Sequence, residues 1–216
     1  MKKDRRKLLK GMGALGLGAL FSPVLAMGHG SGMPGMAKAP EPGMGKIYPA
    51  APVPWQEGRC AFCGMPIATP KGEWRGKKFP QGFFERTYAQ IVFEDGKALH
   101  FESLACMFNY AYAKGLVDGD GNTFYVMAVE ALPGKCKRLG LIPARQATYV
   151  WGEKLMTTMK AHLLATKSPE DAKVLIKKRA KKIGRIHILT FDLLWDLAPV
   201  PEVNLVPLLA KHTGLL

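Results

Sequence analysis

Thr87-Tyr88-Ala89-Gln90-Ile91-Val92-Phe93-Glu94-Asp95-Gly96-Lys97-Ala98-Leu99-His100-Phe101 decides the fold class. Its first seven residues alternate with a strand's period of two and are rich in β-branched and aromatic types. Glu94-Asp95-Gly96-Lys97 is a tight-turn signal, and Ala98–Phe101 returns as a second strand. Ser103 is placed to cap a helix from about Leu104 to Lys114, which Gly115 ends. Past the turn-rich Asp118–Asn122, Thr123–Val129 reads as a further strand, giving the order β-β-α-β.

Downstream the same order returns. Gln146–Trp151 reads as a strand and Lys160–Thr166 as the next. Ser168-Pro169-Glu170-Asp171 combines a cap, a proline at the first helical position and first-turn acids, opening a helix through about Ala180. Arg185–Phe191 closes the unit as its last strand. The expectation is therefore an α+β protein with two related β-β-α-β units, over 59–134 and 135–198, joined near Gly134–Gly140. Residues 199–216 form an apolar, proline-broken tail whose packing the sequence does not assign.

Upstream of the hairpin, residues 27–58 are dominated by Gly, Pro and Ala and hold no helical or strand period, so they read as a flexible arm. Met27, His29, Met33, Met36 and Met44 supply that arm with soft ligands. Residues 1–26 read as an export signal. Arg5-Arg6 followed by leucines precedes a glycine-diluted apolar run, the pattern of a twin-arginine signal, with cleavage expected after Ala26. Part of the formal charge of +14 belongs to this signal, which carries six basic residues against one acidic. With an export signal in front, nucleic acid is excluded as the partner of the remaining positive charge. The run Lys177-Lys178-Arg179-Ala180-Lys181-Lys182 reads as a solvated helix end that can face an anionic protein or lipid. No phosphate-binding loop, zinc-protease helix or serine nucleophile elbow is present.

Cys60-Ala61-Phe62-Cys63-Gly64-Met65 places two thiols and a thioether within six residues. Cys-x-x-Cys lets both sulfurs face one ion, and Gly64 lets the backbone turn so that Met65 points the same way. Thiolate with thioether is a soft set that favours Cu(I) over calcium, magnesium or manganese. A zinc ribbon, a thioredoxin-like redox pair and a structural disulfide to Cys106 or Cys136 stand as alternatives. Cys106 and Met107 are adjacent on the first expected helix and point about 100° apart, so only one faces a given ligand. Cys106 reads first as an ordinary buried residue. Met156 and Met159, with His162 three residues on, lie in a polar segment and are candidate ligands as well.

These segments resemble the NosL family of nitrous-oxide-reductase accessory proteins, which are periplasmic copper chaperones. The similarity rests on Cys63-Gly64-Met65, the hairpin through Ala89–Gly96, Met107-Phe108, Ala147–Val150 and Met156-Thr157-Thr158-Met159. Ser168–Ala172 and Ile188–Asp192 look similar too, so the resemblance spans about 59–195. It implies two related β-β-α-β units and delivery of Cu(I) to an enzyme's copper centre or its maturation machinery, without catalysis. From it and the motif together, the expected copper ligands are Cys63 and Met65, with Met107 or Met159 as further ligands and Cys60 as an assisting thiol. Family members are commonly lipoproteins anchored through a cysteine at the signal junction. This chain has no cysteine there, so the resemblance leaves membrane association open. A thiol-disulfide oxidoreductase using Cys60 and Cys63 is the alternative from a different class.

Overall fold

The hairpin expected at the start forms β3 (Ala89–Phe93) and β4 (Ala98–Phe101), paired antiparallel with Ile91 opposite Leu99. The structure is a computed structural model describing residues 45–132, 135–197 and 205–214, so the expected export signal lies outside the described residues. A two-residue ribbon, β1 (Glu73–Trp74) and β2 (Lys77–Lys78), precedes the hairpin, and a 3-10 turn at Glu85–Thr87 leads into it. Helix α1 (Leu104–Lys114) begins at Ser103, whose Oγ accepts the Cys106 amide at 3.2 Å, and ends at Gly115 with φ of 66°. Strand β5 (Asn122–Leu132) completes the first β-β-α-β order by pairing antiparallel with β3.

In the second half β7 (Thr148–Gly152), β8 (Leu163–Thr166), α2 (Pro169–Ile183) and β9 (Ile186–Leu189) repeat that order, and α2 opens on a Ser168 cap. The result is an α+β fold. Both halves share one seven-stranded sheet, six strands of which run in the order β4-β3-β5-β8-β7-β9 while the seventh pairs with β5 off that path, within a single compact unit. They are joined by a parallel pairing at Ala128 and Ala165.

The stretch expected as a joint near Gly134–Gly140 is instead β6 (Lys135–Pro143), antiparallel to β5. Its alternation is hidden by a bulge: Gly140 faces Ala128 and Arg138 faces Val129, leaving Leu139 extra. That parity shift puts Arg138 and Leu141 on the same side, Arg138 over the Trp55 ring and Leu141 against the buried cluster that Trp55 also borders. The strand expected over 160–166 starts only at Leu163, because Met159, Lys160 and His162 all take positive φ in a tight loop. The last expected strand stops at Leu189, since the Thr190 hydroxyl accepts the Leu193 amide and starts α3 (Phe191–Leu197).

Packing follows from strand alternation. Tyr149 and Trp151 enter the cluster beneath α1, whereas Val150 between them enters the cluster beneath α2, so the two helices cover opposite faces. In the tail, α4 (Leu205–His212) buries Leu205 and Leu209 on the α1 side, and the Asn109 side chain of α1 accepts the Leu205 amide at 3.0 Å. The arm expected over 27–58 is fixed to the sheet in its described part. The Tyr48 amide donates to Thr123 Oγ1 at 2.9 Å, and Trp55 packs on Tyr88 with ring centroids 5.0 Å apart. Aromatic anchors override the proline-rich composition there. The remainder of the arm, with its five soft side chains, lies outside the described residues.

Candidate metal centre

Three backbone hydrogen bonds shape the Cys-x-x-Cys loop. The Cys60 amide donates to the Met65 carbonyl at 2.7 Å, and the Gly64 amide to the Cys60 carbonyl at 2.9 Å. Gly64 turns the chain at φ of 72°, in the region glycine adopts without strain. The Ala61 amide donates to the His100 carbonyl at 2.8 Å, which ties the loop to β4. Beyond β4 the chain passes through Glu102, the Ser103 cap and the first turn of α1, where Cys106 sits. The loop and the helix start therefore converge.

Cys60, Cys63, Glu102 and Cys106 each offer one donor atom, and these four atoms lie within 4.8 Å of one another. Cys106 Sγ is 3.8 Å from Cys63 Sγ. Cys60, Glu102 and Cys106 are buried, at 3%, 0% and 1% exposure, and Cys63 is the one partly exposed member. Neither carboxylate oxygen of Glu102 has a hydrogen-bond partner. A buried, unpartnered carboxylate is costly unless neutralised, so this orphan beside three thiols fits a site that accepts a cation.

Charge within the cluster is uneven. Hydrogen bonds from Cys106 and then Cys63 pull the Cys60 thiol down to about 2, making it the thiolate of the set. The Cys63 thiol is pushed up to about 12: its contact with Cys106 lowers it most, but Cys60, burial and Glu102 together outweigh that contact. Cys106 is pushed far up by donating to Cys60 and Cys63 and by burial. Burial, then the Cys60 charge, raises Glu102 to about 7. All four cysteines of the chain are free thiols.

Of the residues expected from sequence, Cys60 and Cys63 are brought together. Met107 is fully buried in the hydrophobic cluster that also holds Cys60 and Cys106, and Met65 and Met159 pack against that cluster. Cys106 was expected first as an ordinary buried residue and instead joins the donors, and Glu102 was not singled out at all. Their signal was the Ser103 cap, which puts Cys106 in the first turn and Glu102 just ahead of it. Only the hairpin return next to the loop turns that spacing into proximity. Cys136 lies elsewhere on β6, where it accepts from Arg179 at 3.6 Å.

Two buried hydroxyls support the centre from outside. Thr87 Oγ1 and Thr158 Oγ1 are 2.6 Å apart, and both reach the Glu102 carbonyl oxygen, at 2.8 and 3.2 Å. Thr158 belongs to the loop between β7 and β8, so the second half of the chain holds a residue of the donor set in place.

Among solved structures, the chain is similar to the crystal structure of the copper chaperone NosL from Shewanella denitrificans, at 20% identity and a TM-score of 0.47, covering 66% of this chain and 93% of that one. No curated protein sequence matches it. The family model described as NosL matches residues 54–193. That span takes in the hairpin, both helices over the sheet and the whole donor cluster, and covers more than half of the chain, which therefore belongs to the NosL family.

Proposed function

We propose that this protein is a Cu(I)-binding metallochaperone of the periplasm, exported by its twin-arginine signal, that delivers copper to a client enzyme in nitrous oxide reductase maturation. The observation that carries the reading is the convergence of three thiols and an unpartnered carboxylate from two separate segments. Three sulfurs suit a soft monovalent cation, and copper is cargo here, so no reaction is assigned to it. Cys60 as thiolate supplies the attracting charge, Cys63 and Cys106 complete the sulfur set, and Met65, with Met107 or Met159, offers thioethers from the adjoining cluster.

Metal analysis of anaerobically purified mature protein should return one copper per chain. In competition with a Cu(I) chelator, Cys63→Ser and Cys106→Ser should each lower affinity by at least about tenfold, the weight of one charged ligand at about 1.4 kcal/mol or more, and Met65→Leu by less. Unchanged affinity in both serine variants would sink the site. Steady turnover of insulin disulfides, lost in Cys60→Ser, would favour the oxidoreductase instead. For the export step, Arg5→Lys with Arg6→Lys should leave precursor in the cytoplasm, whereas full periplasmic yield would point to the ordinary secretory route.

A further inference from the structure

The wall of the donor loop is also the wall of a groove. Arg59 and Pro66, which form an isolated antiparallel bridge at the base of the loop, line a cleft of about 550 Å³ together with Trp55, Lys71, Trp74 and Glu85. That volume lies within the range of sites that take small ligands or single peptide side chains, about 300–1,000 Å³. On the loop itself Phe62 stands 45% exposed between the two donor cysteines. Its exposure is built in, because the three hydrogen bonds that close the loop fix the backbone on either side. Residues 60–70 hold no Lys, Arg, His, Asp or Glu, in a chain of net charge +14. Cys63, the one donor not buried, opens on this same loop.

We infer that the loop tip and the groove together form the docking surface for the copper recipient, and that the occupant is an extended segment of that recipient. The chemistry of the surface describes the segment. An apolar or proline side chain packs beside the half-buried indoles of Trp55 and Trp74, over which Arg138 and Arg75 lie. An acidic residue meets the lining, where Arg59 and Lys71 outnumber the single carboxylate of Glu85, itself engaged by the Thr69 hydroxyl. A thioether or imidazole beyond it then reaches Cys63, so that the incoming ligand meets the metal at its open side. Phe62 is the anchor, a large apolar side chain whose desolvation accompanies docking. The inference rests on the copper-binding reading but is tested apart from it.

The probe is a short synthetic peptide with one aspartate, one proline and a Met-x-x-Met pair. Its binding to the copper-free full chain is followed by tryptophan emission, and copper transfer to it from the loaded chain by stopped flow. Saturable binding and transfer are expected, with the half-saturating concentration raised at least about fivefold in Phe62→Ser and in Trp74→Ser. Affinity for Cu(I) in competition with a hydrophilic chelator should stay at the parent value in Phe62→Ser. Phe62 is exposed, so this variant remains informative should Trp74→Ser unfold the β1–β2 ribbon. Unsaturable transfer at one rate in parent and Phe62→Ser overturns the docking surface while leaving the metal site standing. Peptide binding without any copper binding does the reverse: it keeps the groove and removes the metallochaperone.

Discussion

Glu102 carries its charge at a cost that depends on pH. Its ordinary value of 4.5 rises to about 7 in the folded chain, chiefly by burial and then by the Cys60 thiolate. A raised carboxyl means that the folded state holds the proton more tightly than the unfolded one. Its stabilising contribution is therefore fully present below about pH 4.5 and is lost as pH rises through about 7. The shift corresponds to about 3 kcal/mol. The urea midpoint of the copper-free parent should fall relative to that of Glu102→Gln between pH 5 and pH 7.5, a comparison in which the opposing contribution of the Cys60 thiolate, common to both chains, drops out. A Gln variant with the parent's full pH dependence would place the titrating group elsewhere. Sequence made Cys60 and Cys63 legible because Cys-x-x-Cys is a local pattern. Glu102 and Cys106 were not, since their roles come from contacts across about forty residues that no spacing rule encodes.

Among the elements, the loop between β7 and β8 does more than connect. Thr158 reaches the Glu102 carbonyl while Met159, Lys160 and His162 hold positive φ, a conformation costly for residues other than glycine. The loop is pinned by the Thr157 hydroxyl, which accepts the His162 amide at 2.8 Å. Thr158→Val keeps the shape of the side chain and removes its buried hydrogen bonds. A loss of about 1–3 kcal/mol in stability is expected, with weaker Cu(I) binding in chelator competition. Stability that fell with copper affinity intact would reduce the loop to a scaffold role. Here too the sequence was partly readable. The caps at Ser103 and Ser168 gave both long helices within a few residues, because caps are local chemistry. Strand β6 was hidden by its bulge, and the loop by backbone conformations that composition does not announce.

Across the whole molecule, the two halves are one body and its two faces are covered differently. Helix α2 covers one face together with the segment through Tyr48, Trp55 and Ile67, and α1 shares the other with α3 and α4. Deleting residues 199–216 uncovers the α1 side and removes two buried leucines, each worth about 1.5–3 kcal/mol. Thermal unfolding should shift down accordingly, with copper stoichiometry unchanged, because the donors all precede the deletion. Loss of copper together with the tail would mean that α4 braces the first turn of α1. The repeated β-β-α-β order was visible in sequence as a succession of elements. Their fusion through β5 was not, because strand partners far apart in the chain leave no periodic mark.

Among the described residues β6 pairs with β5 alone, and its other edge carries a row of backbone amides and carbonyls with no strand beside it. Such an edge is a template for polymerisation. Lys137 and Arg138 are exposed along it, the Leu139 bulge breaks its regularity and Pro143 ends it. For a protein stored at high concentration, these features set shelf life more than the unfolding temperature does. Lys137→Val with Arg138→Thr should seed thioflavin-positive fibrils from folded monomer while melting where the parent melts, and added salt, by screening the parent's repulsion, should carry the unaltered chain part of the way to the same end.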